Sequence, residues 1–572
     1  MKKKNNNQMK VVDFFCGAGG FSEGFRQMGF NIVHGYDYWK PAVDTYNYNF
    51  ELNCTSKNIQ EFWESIEEIN KVENTEVIIG SPPCVSFSSS NKSGKADKSL
   101  GVRLTEAFLR VVAVKKYQPN SILKAWFMEN VVNSKKHLKE QYNFIDLNLK
   151  EWAEENNLNP LQIAIDLTNN TTVINSADYG SIQARKRLIS GEIIRNNQLV
   201  IPVQTHNSDG KDRKKKYRKL KDLLQCFPTP FSEKSDNLIS DIQYDLNLAQ
   251  SKITDHFYDS GIYESEWSLS KFWKTNHPFM GKMSFPENQE KPSRTITATK
   301  IANSRESIIY KTEIARIGDG EYRLPTVREA SIIMGFPITY QFVGLESSKW
   351  RLVGNAVCCS VSRAFATQVL QSEGLPVPRK LNVRESFDEK RVLNLNNYLQ
   401  KEFLNPPQKK KGSRFRRHAI KEGNLTVTLS NYDIEEGKQT NGKWYTSIQY
   451  GTGDGFPIQK INNNYFLKIE DLIRKEKNGE KFLGIINNGF SEKIPSSKIL
   501  QNLYEKQIPG EEYHNPILLV DKIKTILNDL DIKKDIQFEN KNKVFKHKSR
   551  VPLRQLFALY AINKISTTAN QT

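Results

Sequence analysis

From Val11 to about Val200 the chain alternates short apolar runs with stretches of helical spacing. Val11-Val12-Asp13-Phe14-Phe15 reads as a strand, a Gly-rich turn follows, and a helical pattern then runs through Phe25. Asn31 to Tyr36, Val77 to Gly80 and Ala125 to Met128 read as further strands. Strand and helix in alternation predict an α/β unit, a parallel sheet with helices on both faces. From about Pro202 to Ile301 polar loops dominate, and regular alternation returns at Tyr322-Arg323-Leu324 and continues to a helical run ending near Leu370.

This texture divides the chain into a core at 1–201, an inserted region at 202–305, a return to the core at 306–373, a linker at 374–411 and an extension at 412–572. The linker holds Pro376, Pro378, Pro406-Pro407 and Lys409-Lys410-Lys411. The extension mixes a strand-like Leu425 to Leu429 with a helical pattern near Ile517 to Leu530, predicting an α+β unit. There is no internal repeat.

Composition adds a partner. The 572 residues carry a formal net charge of +19, which points to a polyanion, since clustered Lys and Arg displace counterions from phosphates. The block Lys211 to Lys221 contains a single acid, Asp212. Its Lys211, Arg213, Lys214, Lys215, Lys216, Arg218 and Lys219 suit phosphate contacts, with a solvated charged face as the alternative. No apolar run of membrane-spanning length occurs, and the basic N-terminus lacks the apolar core of a signal peptide. Six scattered Cys without a CxxC pair fit a reducing cytoplasm, and eight dispersed His give a zinc site little support.

Two turns carry the candidate chemistry. Asp13-Phe14-Phe15-Cys16-Gly17-Ala18-Gly19-Gly20 lies between a strand and a helix, where glycines let the backbone approach a ligand. A second strand ends near Asp37, an acid suited to ribose hydroxyls. Together they indicate an adenosine-type cofactor and leave open whether it is a nicotinamide or S-adenosylmethionine. In Gly80-Ser81-Pro82-Pro83-Cys84-Val85-Ser86-Phe87-Ser88, two prolines fix the backbone ahead of a thiol at the sheet's edge. A lone Cys is more often inert, but this rigid placement suits a nucleophile.

With Glu129-Asn130-Val131, Gln183-Ala184-Arg185-Lys186-Arg187, Arg328-Glu329-Ala330, Gly335-Phe336-Pro337 and Val353-Gly354-Asn355-Ala356-Val357 in order behind them, these turns resemble the DNA cytosine-5 methyltransferase family over residues 11 to about 370. The resemblance implies a Rossmann-like, S-adenosylmethionine-dependent core with a smaller target-recognition domain. It sets Phe15, Gly17 and Gly19 beside the methionine part of the cofactor, Asp37 at the ribose and Tyr38 against the adenine ring. Asn58 and Ile59 stand where the family has an Asp-Ile pair at the adenine; Asp37 stands where it usually has Glu. Leu104 falls near the cofactor or in the core, and Asn355 and Ala356 return to the cofactor site. Ile182 and Cys358 replace prolines common in the family, and Cys358 reads as a packed thiol.

The same resemblance implies that Cys84 adds to carbon 6 of a flipped cytosine, Glu129 serves its N3, Arg185 holds its carbonyl oxygen and Arg187 orders the site or pairs with an acid. Pairing of Glu129 with Lys135 or Lys136 is the plainer alternative. The polar, basic stretch Ser88 to Lys95 suits closing over the base, and Lys291 to Thr297 resembles the end of the recognition region. The implied substrate is double-stranded DNA, the implied setting the bacterial cytoplasm, and the implied role protection from a cognate restriction endonuclease by a monomeric enzyme. A tRNA methyltransferase, a nicotinamide oxidoreductase and a non-catalytic DNA-binding protein are the competing readings. In the extension, Arg414-Phe415-Arg416-Arg417-His418 reads as part of an added DNA-binding module, and Asp535 with Glu539-Asn540-Lys541 raises a fused metal nuclease.

Overall fold

Val11 and Val12 are both fully buried yet face opposite sides of one sheet, and the same period of two runs through Val77-Ile78-Ile79 and Ala125-Trp126-Phe127-Met128. Apolar residues at consecutive positions therefore demand cover on both faces. The computed structural model supplies it: one face packs on the helices Gly20–Gln27 and Cys359–Ser372, the other on the helix Lys98–Tyr117. Described residues are 8–83, 98–230, 232, 235–256, 264–276, 283–311, 322–388, 418–433, 438–439, 443–451, 458–461, 466–506, 512–533 and 535–571.

The central sheet has six strands: β1 (Lys10–Phe14), β2 (Asn31–Tyr36), β3 (Val77–Gly80), β4 (Ala125–Asn130), β5 (Thr171–Asn175) and β6 (Lys186–Ile193), in the order β2-β1-β3-β4-β6-β5. The first four run parallel, as the sequence pattern predicts. The last two correct that expectation, because β6 pairs antiparallel with both β4 and β5, giving a mixed sheet. The reason is local: Asn175, Ser176 and Gly180 make a tight one-turn 3-10 reversal, too short for a crossover helix, so the chain returns antiparallel.

The chain divides into two compact units, Met1–Ile262 with Trp273–Leu404, and Tyr263–Phe272 with Asn405–Thr572. In the first, Arg328 lies fully buried on the helix Val327–Ile333 and donates to Thr254 and to the Tyr340 carbonyl, while Lys349 pairs with Asp255 at 2.6 Å. The late motif thus ties the core to residues 254–255. In the second, β7 (His418–Glu422), β8 (Leu425–Ser430), β9 (Tyr445–Tyr450) and β10 (Ile458–Lys460) form an antiparallel sheet. The helix Leu553–Gln571 packs on it, buried around almost its whole circumference and therefore central.

Candidate active site

The Gly-rich turn takes its shape from the residues between β1 and the helix Gly20–Gln27. Phe15 has φ +56°, unusual for a bulky residue, and Gly17 (+51°) and Gly19 (+82°) also lie in the left-handed region. The Gly17 amide donates to Asp37 Oδ2 at 3.0 Å and the Trp39 amide to Oδ1 at 2.9 Å, so the turn and the acid after β2 form one assembly. Burial raises the Asp37 carboxyl above its usual range, against these backbone donors. Each oxygen keeps acceptor capacity beyond its single N–H.

Lys57 N donates to the Asp37 carbonyl, which brings the Asn58 segment to the same edge. Asn58 is exposed and its Oδ1 accepts from the Gln60 amide, whereas Ile59 is in the core. Tyr38 is 70% exposed. Leu104 and Phe15 are partly buried against one apolar cluster. The last motif closes on this turn from far along the chain. A Cβ on Gly20 would stand 2.2 Å from the Val357 carbonyl oxygen and 3.2 Å from Ala356 Cβ. Asn355 is exposed beside them at the end of its helix.

These residues fit a bound S-adenosyl group. A Cβ on Gly17 would meet only the Phe15 carbonyl, at 3.8 Å, so the turn opens onto free space. Behind it Asp13 is fully buried; its Oδ2 accepts from Ser22 and its Oδ1 has no partner. The Asp13 carboxyl is pushed up to about 8, chiefly by burial.

The cysteine turn is described up to Pro83; Cys84 and the stretch Ser88 to Lys95 lie outside the described residues. The approach is fixed on both sides. Ser81 donates through its amide to the Phe14 carbonyl and through Oγ to the Phe15 carbonyl, each at 3.0 Å. Asn130, at the end of β4, donates to the Pro82 carbonyl at 3.4 Å. Neighbouring Glu129 is 7% exposed and pairs with Arg187, Nε to Oε1 at 3.0 Å, and not with Lys135 or Lys136. Burial raises the Glu129 carboxyl, and the Arg187 and Arg185 charges oppose the rise.

The two arginines differ. Arg187, on β6, lines a cleft with Glu129, Ser176, Val357 and Cys358. Arg185 lines it too, but its guanidinium donates to the carbonyls of Ile296, Gly354 and Ala356 at 2.9, 3.0 and 3.3 Å. That geometry departs from the expectation that Arg185 holds the base: its donors bind the backbone of the last motif. Cys358 is buried against Gln183 and Met334, and burial raises its thiol. The Lys291 to Thr297 stretch joins the same wall, Ser293 exchanging backbone bonds with Ile182 and Ala184.

Within the basic block two expected phosphate contacts are engaged elsewhere, Arg218 with the Ile242 carbonyl and Lys219 with Glu290, while Lys211, Arg213, Lys215 and Lys216 are exposed. Arg414 to Arg417 lie outside the described residues. Ser81, Asn130 and the buried pair of Asp13 and Ser22 were not singled out from sequence. Asn130 sits inside the Glu-Asn-Val motif, which was a usable signal; Ser22 lacked any.

The family model for C-5 cytosine-specific DNA methylase matches residues 9–371. Type II methyltransferase M.HgiDI of Herpetosiphon aurantiacus is 27% identical over 384 residues, 66% of this chain and all of that protein. Type II methyltransferase M.HindV of Haemophilus influenzae is 27% identical over 375 residues, 64% of this chain and 99% of that one. Over a shorter stretch of 125 residues, 22% of this chain and 90% of the relative, identity to type II methyltransferase M.HgiGI of Herpetosiphon aurantiacus reaches 43%. A solved DNA modification methyltransferase from an Escherichia coli prophage aligns at a TM-score of 0.41 and 18% identity, covering 64% of this chain and all of that one. The chain belongs to the C-5 cytosine-specific DNA methylase family and is a DNA (cytosine-5-)-methyltransferase.

Proposed function

We propose that this chain methylates carbon 5 of a cytosine within a specific sequence of double-stranded DNA, with S-adenosylmethionine as donor and Cys84 as nucleophile. The observation that carries the reading is the buried Glu129 at the end of β4, held by Arg187 and next to the Asn130 that secures the Cys84 turn. Carbon 5 of cytosine is a poor nucleophile. Thiolate addition from Cys84 at carbon 6 makes it enamine-like, and Glu129, whose carboxyl burial raises, donates to N3 as charge builds there. Arg187, paired with Glu129 at the cleft, is the cation that would meet the base's carbonyl oxygen; Arg185 acts as a positioning residue, fastening the last motif behind the site.

The bound cofactor supplies an electrophilic sulfonium methyl. Gly17, Gly19 and Phe15 would shape its seat, Asp37 would accept from its ribose hydroxyls, and Tyr38, Asn58, Ile59, Leu104, Asn355 and Ala356 would lie about the remainder. Water takes the C5 proton, the carbon 6–sulfur bond breaks to return Cys84 as thiolate, and N3 returns its proton to Glu129, completing the turnover. Because a duplex hides carbon 6 in the stack, the base must be extruded, with the Ser88 to Lys95 stretch closing over it. The relatives' names support a protective role against a cognate restriction endonuclease, and the enzyme acts as a monomer in the cytoplasm.

The test is incubation with unmethylated duplex and methyl-labelled S-adenosylmethionine, then digestion to nucleosides. Label in 5-methyldeoxycytidine is expected. Label in tRNA and none in DNA would transfer the chain to the tRNA reading, and label in neither would leave a DNA-binding protein.

A further inference from the structure

Residues 540–549 join β11 (Gln537–Glu539) to β12 (Arg550–Pro552) in the C-terminal unit, beyond the segment that the family model matches. From Lys541 to Arg550 the sequence holds Lys541, Lys543, Lys546, Lys548 and Arg550 and no acid. All five are exposed. Lys541 and Arg550 share Glu539, at 3.2 and 3.4 Å. Lys543, Lys546 and Lys548 have no acidic partner among the described residues.

The loop beneath these cations is fixed. Val544 and Phe545 are inserted into the apolar core of the unit. Asn540 is 6% exposed; its Nδ2 donates to the carbonyls of Phe545 and Lys548 at 2.5 and 2.6 Å, and its Oδ1 accepts from the Phe545 amide. Gln459 on β10 donates to the Val544 carbonyl at 2.9 Å and accepts from the Lys546 amide at 3.0 Å. The His547 ring meets the Tyr450 ring edge-on at 4.8 Å. This arrangement also answers the nuclease reading of Glu539-Asn540-Lys541. The carboxylate is paired with Lys541 and Arg550 and the carboxamide is spent on the loop, so neither is presented to a metal.

A solvated charged face needs no such anchoring. Like charges crowded on a rigid backbone repel one another, and a polyanion relieves that repulsion while finding the loop already ordered. We propose that this hairpin loop binds the phosphate backbone of duplex DNA through Lys543, Lys546 and Lys548, without reading sequence. Duplex DNA is favoured over RNA because the family to which the chain belongs modifies DNA.

The test uses the full chain without cofactor and a 30-base-pair duplex, with affinity followed by fluorescence anisotropy between 50 and 200 mM salt. Three phosphate contacts contribute about 2.7 to the slope of log affinity against log salt, so over that fourfold rise the wild type should lose about 40-fold more affinity than the triple variant K543Q/K546Q/K548Q. A matched variant, K475Q/K477Q/K481Q, alters exposed lysines interspersed with Glu476 and Glu480 and should keep the wild-type slope. Acylation footprinting of the wild type is independent of how the variants fold: DNA should shield Lys543, Lys546 and Lys548 and leave Lys475, Lys477 and Lys481 reactive. An unchanged slope, an equal fall in the matched variant, absent shielding, or shielding by structured RNA alone would overturn the proposal.

Discussion

Gly17 and Gly20 make opposite demands, and substituting each by Ala separates cofactor seat from fold. At Gly20 the new methyl would lie 2.2 Å from the Val357 carbonyl oxygen and 3.2 Å from both Ala356 Cβ and Phe336 Cζ. The nearest atom is backbone, so relief requires moving the last motif, and overpacking of this kind costs roughly 1–3 kcal/mol or more. Gly20→Ala should therefore lower the thermal midpoint by several degrees. At Gly17 the methyl has room, its only neighbour 3.8 Å away, but φ of +51° imposes about 1–2 kcal/mol on any L side chain. Gly17→Ala should fold, melt modestly earlier and lose tenfold or more in affinity for S-adenosylmethionine, because its methyl enters the space opened by the turn. Thermal melts with calorimetric titration of the cofactor measure both. A Gly17→Ala protein that binds cofactor as the wild type does would refute the placement of that seat, and an unaltered melt of Gly20→Ala would refute the close approach of Val357.

Other outcomes follow from the buried groups. Burial raises Glu129, so the protonated acid persists above the ordinary carboxylate range and is lost as pH rises through its folded value. Methylation at saturating substrates should fall on that limb, and Glu129→Gln, which cannot donate a carboxyl proton, should lose about 100-fold or more in kcat; a variant with the wild-type rate and pH profile would remove Glu129 from the chemistry. Asp13, raised to about 8, retains its proton in the folded state while the unfolded chain has released it. Its contribution therefore becomes increasingly unfavourable from about pH 4 to pH 8, and Asp13→Asn should flatten the fall in unfolding free energy, read from denaturant titrations, across that window by an amount on the order of a few kcal/mol. Two thiols can be told apart by substitution: Cys358→Ser should keep turnover within a few-fold, whereas Cys84→Ser should abolish it and also abolish denaturation-resistant trapping on 5-fluorocytosine DNA.

The parallel half of the sheet was legible because consecutive apolar residues such as Val11-Val12 and Trp126-Phe127 require cover on both faces, and the flanking glycines marked where the chain turns. The antiparallel pair was not, because direction is set at Ser176 to Gly180 by a turn whose residues would also suit an ordinary loop. At the site, motif spacing brought Glu129, Arg185 and Arg187 to one cleft. Their division of labour stayed hidden, since Arg185 is occupied by the carbonyls of Ile296, Gly354 and Ala356, backbone groups that carry no sequence signal. Asn540 shows the same limit: beside Glu539 and Lys541 it resembled a metal site, and only its bonds to the Phe545 and Lys548 carbonyls, backbone groups without a sequence signal, reveal a loop staple.

The closure of the last motif on the glycine turn also constrains synthesis of the protein. Ser362 donates to the Phe21 carbonyl across 341 positions of chain, and Gly24 rests on Ser362 and Arg363. While the chain is still emerging from the ribosome, the first helix can pack on the sheet but meets the helix Cys359–Ser372 only after residue 363 has been released. A nascent or prematurely terminated chain that ends before this point carries Cys84 and Glu129 but lacks the helix that packs against Phe21 and Gly24. Chains that end before Val357 are therefore expected to incorporate no label into DNA in the methylation assay.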